Sequence, residues 1–483
     1  MAPDAPGRTI LLGHPVGLAN LLGIELWERF SFYGMLTLLG YYLYYSVADG
    51  GLGLPRSVAL GVVGAYGGTV YLATIAGGWI ADRVLGMERT VFYGGVGVML
   101  GHVALALLPG LSGVAAGLGL VAVGSGALKA NTAALLGTLY ERDDPRRDGG
   151  FTFFYFGANV GALLGPLITG MLQTRVGFHY GFGAAAIGMT AGLVQYTVYR
   201  RNLATAVRGP LNPLPRGSYG RLAAVVLAVV AVIVGSFATG LVSLAHVPQV
   251  ITAVLVAASV GYFTVLLTSP RVAGAERSRV VAFIPLFLAN VVFATLFQQI
   301  FTVLAVYSAE RMNWSLFGWI APPSAVASVE PVWLILFAPV FAVMWTKLGS
   351  RAPSTPRKVA YGVIGIGVTF LLFVPLSGTP GHSVPALAVA AIMIPAAMSE
   401  LMLAPIGLSV TTQLAPPAFR GQMMALYFFS VGLGTSMSGL LARFYDPADE
   451  LAYFGISGTA AVVAGAIVFA LAPRISRLMN GVH

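Results

Sequence analysis

Glu25-Leu26-Trp27-Glu28-Arg29-Phe30-Ser31-Phe32-Tyr33 sets three charges inside a run that is otherwise apolar enough to cross a membrane. A charged side chain at mid-bilayer costs on the order of 3 kcal/mol on insertion scales, so ionisable residues at that depth mark function by default. At helical spacing Glu25 and Glu28 are three residues apart and Glu25 and Arg29 four, which places all three on one face. Leu22, Leu26 and Phe30 fall toward other faces and are free to meet lipid or neighbouring helices. An ion pair that merely fixed packing would need one carboxylate for the arginine. Two are present, so the charged stripe reads as looking into the protein for a purpose.

The chain around this stretch has 483 residues, 57% hydrophobic and only 9% charged. No soluble domain of that size can hide so much apolar surface, and the class is an all-α polytopic membrane protein. There are no cysteines, which excludes structural disulfides and thiolate metal sites. A net charge of +10 invites a nucleic-acid reading. The distribution rejects it, because the basic residues sit in short loops between apolar runs and not in one patch. Residues 1–13 lack the basic region, short apolar core and cleavage site of a signal peptide, so the first span is expected to stay in the mature protein.

Apolar stretches bounded by Gly, Pro and charge predict spans near 18–47, 57–82, 90–108, 112–139, 150–174 and 180–199. Two very apolar spans follow at about 221–243 and 248–268, then six more near 281–308, 320–347, 357–377, 384–414, 419–443 and 451–473. The expected organisation is an N-terminal six-helix bundle over 1–200, a linker with an inserted two-helix hairpin over 201–280, and a C-terminal six-helix bundle over 281–483, fourteen spans in all. With the N-terminus inside, 21 Lys and Arg fall in cytoplasmic segments against 4 in outer loops, which argues for both termini in the cytoplasm. Two six-helix halves match the major facilitator fold, whose halves rock about a midplane site. The hairpin carries no buried charge and is expected to lie against lipid, outside the path.

The acidic residues inside spans are Glu25, Glu28, Glu330 and Glu400, and the basic ones Arg29 and Lys129. The first half thus supplies both cations, and the second half two carboxylates. A ligand with a carboxylate at one end and an ammonium at the other fits that division.

These residues carry a resemblance. Glu25-x-x-Glu28-Arg29-Phe30-x-x-Tyr33-Gly34 resembles the first-helix signature of the proton-dependent oligopeptide transporter (POT/PTR2) family of the major facilitator superfamily. Gly77-Gly78-Trp79-Ile80-Ala81-Asp82-Arg83-x-x-Gly86, Gly126-x-Leu128-Lys129-x-Asn131, Phe156-Gly157-x-Asn159-x-Gly161 and Ser399-Glu400-Leu401 through Ser409-Val410-Thr411 are similar to its later motifs, in the right order across nearly the whole chain. The resemblance implies a proton-coupled symporter importing di- and tripeptides by alternating access. Arg29 and Lys129 would take the substrate carboxylate, Asn159 and Glu400 its amino terminus, and Tyr33, Tyr71, Gln299 and Tyr427 would line the site. Glu25 and Glu28, assisted by Glu330, would couple proton binding, because protonating a carboxylate frees the guanidinium for substrate. No cofactor is expected beyond the proton as coupling ion, no metal, and no partner beyond peptide, protons and lipid. The expected place is the cell inner (plasma) membrane and the expected state a monomer.

The chain also departs from the family pattern. Leu36 and Gln298 stand where many members carry an arginine and a glutamate that pair at the outer gate, so closure is expected to rest on packing. Glu330 stands where asparagine is common, and Ala294 and Tyr427 where tryptophans are frequent. A family member that moves another zwitterion or peptide-like metabolite, or an exporter, is the alternative. An enzyme is not expected, since there is no nucleophile elbow, no His-Glu-x-x-His and no paired aspartates at helical spacing. Asp82 and Arg83 read as a structural latch and His102 as a satisfied core histidine. Tyr41, Tyr42, Tyr44 and Tyr45 are expected in the outer aromatic belt. Glu400 lies ahead of Pro405, which can open the helix and expose carbonyls, and for Glu330, beside Pro331 at an expected helix break, structural and functional readings both stay open.

Overall fold

The computed structural model describes residues 13–141, 144, 146–203, 209–316 and 318–481. The segment before residue 13 that was read for a signal sequence, and Arg8, Arg142 and Arg208 of the orientation count, lie outside them. In hydrocarbon every backbone N–H and C=O must find its partner within the chain, so apolar runs of this length become helices. In order these are α1 (Val16–Tyr44), α2 (Arg56–Ile80), α3 (Met87–Leu107), α4 (Gly110–Gly137), α5 (Arg147–Arg175), α6 (Phe178–Tyr199), α7 (Tyr219–Ala238) and α8 (Val247–Thr268). Then follow α9 (Gly274–Phe297), α10 (Val303–Arg311), α11 (Val326–Leu348), α12 (Thr355–Leu371), α13 (Ala386–Ile392), α14 (Ile394–Leu414), α15 (Arg420–Leu441) and α16 (Glu450–Leu478).

Twelve helical stretches among the described residues are long and apolar enough to cross a membrane. α1 and α6, with 29 and 22 residues, have the length but are not among the twelve, and α1 falls short because it holds Glu25, Glu28 and Arg29. Adding these two to the twelve gives the fourteen spans that the sequence predicts. α9 and α10 form one span interrupted by a 3-10 turn at Gln298–Phe301, and α13 and α14 form another, broken at Met393. Four two-residue strands decorate the loops: β1 (Met312–Asn313) pairs parallel with β4 (Val384–Pro385), and β2 (Ser315–Leu316) antiparallel with β3 (Trp319–Ile320).

The chain falls into two compact units, Met1–Leu38 with Leu72–Val247, and Leu39–Tyr71 with Pro248–His483. In the first unit α3 and α4 pack through glycines. A Cβ at Gly94 would stand 2.8 Å from the Gly124 carbonyl oxygen, and one at Gly101 2.7 Å from that of Gly117, so the two backbones approach as only small residues allow. In the second unit the start of α2 lies on α15, where a Cβ on Gly64 would come within 2.6 Å of the Gly439 Cα.

Four sequence readings change. Pro405 lies within the unbroken α14, and the break in that span comes earlier, at Met393. Pro331 lies within α11, near enough its start that few intrahelical bonds are lost, so Glu330 sits on continuous helix and is buried, not at a watery break. Tyr41 and Tyr42 are buried, and Tyr41 Oη donates to the Ala305 carbonyl at 2.9 Å, so this part of the tyrosine run packs on α10 instead of facing lipid headgroups. A buried tyrosine hydroxyl usually finds such a partner. His102 is buried as expected, yet neither ring nitrogen has a hydrogen-bond partner.

α7 has no buried residue, in keeping with a lipid-facing helix. α8 is different on one side. Thr252 Oγ1 and Ser436 Oγ of α15 are 2.8 Å apart, and Phe263 meets Phe283 and Phe287 of α9.

Candidate functional site

In the first unit the charged stripe of α1 is packed from both sides. On the α5 side, a Cβ at Gly161 would run into the Leu26 carbonyl and lie 3.0 Å from the Arg29 Cβ. On the α4 side, a Cβ at Gly126 would meet the backbone of Ala73 and Thr74 at 2.5–2.7 Å, which draws α4 against α2. The glycines of the two motifs therefore set α5 against α1 and α4 against α2.

The polar contacts centre on Glu28, which is fully buried. Its Oε1 accepts from Ser125 Oγ at 2.9 Å and lies 3.8 Å from Lys129 Nζ. Its Oε2, with no hydrogen bond, is 3.6 Å from Arg29 Nε. Glu25 holds the arginine from one turn back, with Arg29 Nε donating to Glu25 Oε1 at 2.8 Å. Lys129 Nζ also sits 4.4 Å from the centre of the Phe32 ring, and the Arg29 guanidinium 6.0 Å from that of Tyr33. Two carboxylates and two cations thus form one cluster, with Arg29 about a fifth exposed and Lys129 12%. Fully ionised it has a net charge of zero, and adding one proton makes it +1.

Asn159 is buried on α5, its Nδ2 donating to the Tyr155 carbonyl of its own helix at 2.8 Å, which leaves its oxygen to accept. Asn131 holds α4 to α2, donating to the Gly77 carbonyl at 3.3 Å. Asp82 and Arg83 continue α2 as a short π-helical turn. Their carbonyls accept from Asn212 N at 2.9 Å and Leu214 N at 2.8 Å, so they latch the linker to the helix end through backbone, and neither side chain forms an ion pair among the described residues.

In the second unit Glu330 on α11 lies within electrostatic reach of Glu400 on α14. Glu330 Oε1 has no partner of its own. Tyr427 of α15 lies within electrostatic reach of Glu400 and of Tyr71, and its Oη donates to the Ala404 carbonyl at 3.3 Å. A Cβ at Gly432 would stand 2.9 Å from the Tyr71 Cβ, so Tyr71 rests on the same helix. Gln299 is fully buried, and its Oε1 accepts from Tyr453 Oη of α16 at 2.8 Å, which ties it to that helix.

Also in this unit, Arg56 at the start of α2 forms an ion pair with Glu310 at the end of α10, and its guanidinium lies 5.7 Å from the Tyr44 ring centre. Beside it Arg311 pairs with Glu450 at 3.0 Å, and Tyr445 donates to the same carboxylate at 3.0 Å. Burial, and then the Glu450 charge, push the Tyr445 phenol above its ordinary range.

Sequence reasoning missed Ser125, Phe32 and His102. Ser125 is one turn before Lys129 on α4, and Phe32 one turn after Glu28 on α1, so helical spacing from the charged residues could have found both. His102 lies within electrostatic reach of Glu28 across helices, and nothing local in the sequence says so.

A bundle of membrane-spanning helices that buries a cluster of balanced charges is the arrangement of a secondary transporter of the major facilitator fold. A family model described as the POT family matches residues 88–458. An uncharacterized transporter, YclF, of Bacillus subtilis (strain 168) is 41% identical over 97% of this chain and 96% of its own. A di-/tripeptide transporter of Lactococcus lactis subsp. cremoris is 38% identical, with 98% of each chain covered. Among solved structures, a mutant POT peptide transporter in complex with alafosfalin superposes with a TM-score of 0.92 at 42% identity, covering 99% of this chain and 98% of that one. A POT family transporter in complex with 5-aminolevulinic acid gives 0.91 at 34% identity, covering 97% and 99%. The chain belongs to the POT family of membrane transporters.

Proposed function

We propose that this protein is a proton-coupled symporter that imports di- and tripeptides by alternating access across the cell inner (plasma) membrane, as a monomer with both termini in the cytoplasm. The observation that carries the reading is the cluster on α1 and α4, where Glu25 and Glu28 balance Arg29 and Lys129. A balanced cluster has no surplus charge to offer a carboxylate. One proton on Glu28 ends its hold on Lys129 and its share of Arg29, which Glu25 still pairs, and gives the cluster the single positive charge that a peptide carboxyl terminus requires. Arg29 and Lys129 then hold the carboxylate, and Asn159 and Glu400 the amino terminus. Tyr33, Tyr71, Gln299 and Tyr427 form the remaining lining. The names of the family's peptide-transporting members support the substrate class.

Alternating access needs an outer closure. With Leu36 and Gln298 in place of the usual pair, closure would rest on packing, and the glycine contact between α2 and α15 and the Arg56–Glu310 ion pair support this end of the second unit.

The deciding experiment is uptake of a labelled dipeptide into proteoliposomes with an inward proton gradient, repeated with an uncoupler. Accumulation that collapses with the uncoupler is the expected result, and accumulation indifferent to it would contradict the reading. A second reading, transport of a different zwitterion, is favoured by the related structure that holds 5-aminolevulinic acid, and competition for dipeptide uptake by that compound separates the two.

A further inference from the structure

At one end of the second unit the charges do not balance. Residues 269–279, 345–358 and 472–481 hold three, four and two Lys or Arg, nine in all, against a single acid, Glu276. Glu276 is already engaged, its Oε2 accepting from Ala273 N at 3.1 Å at the start of α9. The segments adjoin in space. Ser278 Oγ donates to the Leu478 carbonyl at 3.0 Å, the Arg357 guanidinium lies 5.7 Å from the Phe469 ring centre, and Lys358 Nζ 4.4 Å from that of Trp345. None of the nine forms an ion pair among the described residues. In the first unit, by contrast, Arg146 and Arg200 each have a carboxylate at 2.8 Å, that of Asp144 and that of Glu88. The excess is local to this end, and a surplus of one sign draws the opposite charge from outside the chain.

The surface beneath the cations says which anion fits. Tyr361, one turn after Arg357 on α12, also meets Phe469 of α16, with ring centres 5.7 Å apart. Both rings are exposed, and both belong to helices apolar enough to cross a membrane. Val368 and Leu372 continue the same exposed face of α12, seven and eleven residues beyond Tyr361. Eleven residues of helix are about 16 Å long, close to the ~15 Å of hydrocarbon in one leaflet. A Cβ at Gly465 would stand 3.0 Å from the Ala360 carbonyl oxygen, so α16 lies hard against α12 beside this strip. A guanidinium stacked on a ring uses its face and keeps its in-plane N–H groups for a phosphate. A soluble anion has no use for the apolar strip. A phospholipid with a negative headgroup uses both parts.

We propose that this strip seats one anionic phospholipid, with its phosphate on Arg357, the charge of Lys358 beside it, and an acyl chain along Tyr361, Val368 and Leu372. With both termini in the cytoplasm, this end meets the cytoplasmic leaflet, where anionic lipids make the membrane surface negative. Because Arg357 rests on α16 and Lys358 on α11, a bound headgroup links three helices, and binding stabilises the folded unit by mass action. The seat shares no residue with the proposed peptide site.

The test uses the full-length protein in detergent, titrated with dioleoyl phosphatidylglycerol, with phosphatidylcholine of the same chains, and with glycerol 3-phosphate, and read by native mass spectrometry and by Tm. Phosphatidylglycerol is expected to bind about tenfold more tightly than phosphatidylcholine and to raise the Tm. Glycerol 3-phosphate, a headgroup without chains, is expected to do neither at the same concentration. Arg357→Gln should lose most of the tenfold preference, and Arg357→Lys, which keeps the charge but not the paired N–H groups, should fall between the two. Arg271→Gln removes the same charge from the basic end outside the strip and should leave the preference intact. Tyr361→Ala should weaken both lipids alike. Equal binding of the two lipids would overturn the proposal, as would an effect of glycerol 3-phosphate equal to that of phosphatidylglycerol. Equal losses in Arg357→Gln and Arg271→Gln would also overturn it, since they would reduce the seat to diffuse attraction by a basic surface.

Discussion

Glu28→Gln tests the coupling mechanism most directly, because it removes a charge while keeping shape and the Ser125 hydrogen bond. Glu28 lies 3.6 Å from Arg29 Nε and 3.8 Å from Lys129 Nζ. At an effective dielectric of about 20, each attraction is worth about 4 kcal/mol. A substrate carboxylate that takes the place of Glu28 at similar distances regains a similar amount, so proton and substrate carboxylate act on the same two cations with comparable energies. In the proposed mechanism that equivalence couples them. In Glu28→Gln the cluster is fixed at +1, its proton-loaded charge, whatever the pH. Peptide binding and exchange should survive, and accumulation should vanish. A gradient of one pH unit is worth about 1.4 kcal/mol, or about tenfold accumulation per coupled proton. The native protein should reach that ratio in proteoliposomes and Glu28→Gln should stay near one, while counterflow of labelled dipeptide continues. If the variant still accumulated substrate against a gradient, the coupling role given to Glu28 would be wrong.

Lys129→Ala is expected to weaken dipeptide binding by at least tenfold, read by competition or calorimetry, because it removes one of the two cations the carboxylate needs; unchanged affinity would remove Lys129 from the site. Gly161→Ala forces a methyl group into the Leu26 carbonyl and should destabilise the protein in detergent by about 1–3 kcal/mol, seen as a lower Tm, since overpacking pushes α5 off α1. His102→Leu should raise the Tm, as it removes a fully buried ring whose nitrogens have no hydrogen bond. A lower Tm would mean the ring has a partner after all. At the outer end, a double-mutant cycle on Arg56 and Glu310 should give a coupling of about 0.2–1 kcal/mol, because both side chains are about one-third exposed. A coupling of zero would leave closure to packing alone.

The class of protein, the fourteen spans and the identity of the charged residues were legible from sequence because each is a local property. A helix in lipid satisfies its own backbone, so its existence depends on the hydropathy of some twenty neighbouring residues and on little else. Charges are conspicuous in such runs for the same reason, and Glu25, Glu28 and Arg29 could be placed on one face from spacing alone. What the spacing left open was where proline matters. Pro331 and Pro405 looked like breaks, yet both are absorbed in continuous helix, and the interruption came at Met393, where no single residue announces it.

Tertiary structure decided which charges meet. Glu28 and Lys129 are a hundred residues apart, as are Glu28 and Ser125 to within a few, and only the close approach of α1 and α4 sets them 3.8 Å and 2.9 Å from one another. It set Glu330 within electrostatic reach of Glu400, turned Gln299 toward Tyr453, buried Tyr41 against Ala305, and brought His102 within reach of Glu28. The physical reason is one of range. Hydrophobic burial in a membrane is read residue by residue along the chain, whereas an electrostatic contact between helices depends on distances of a few ångströms that are set by glycines and side chains on several segments at once.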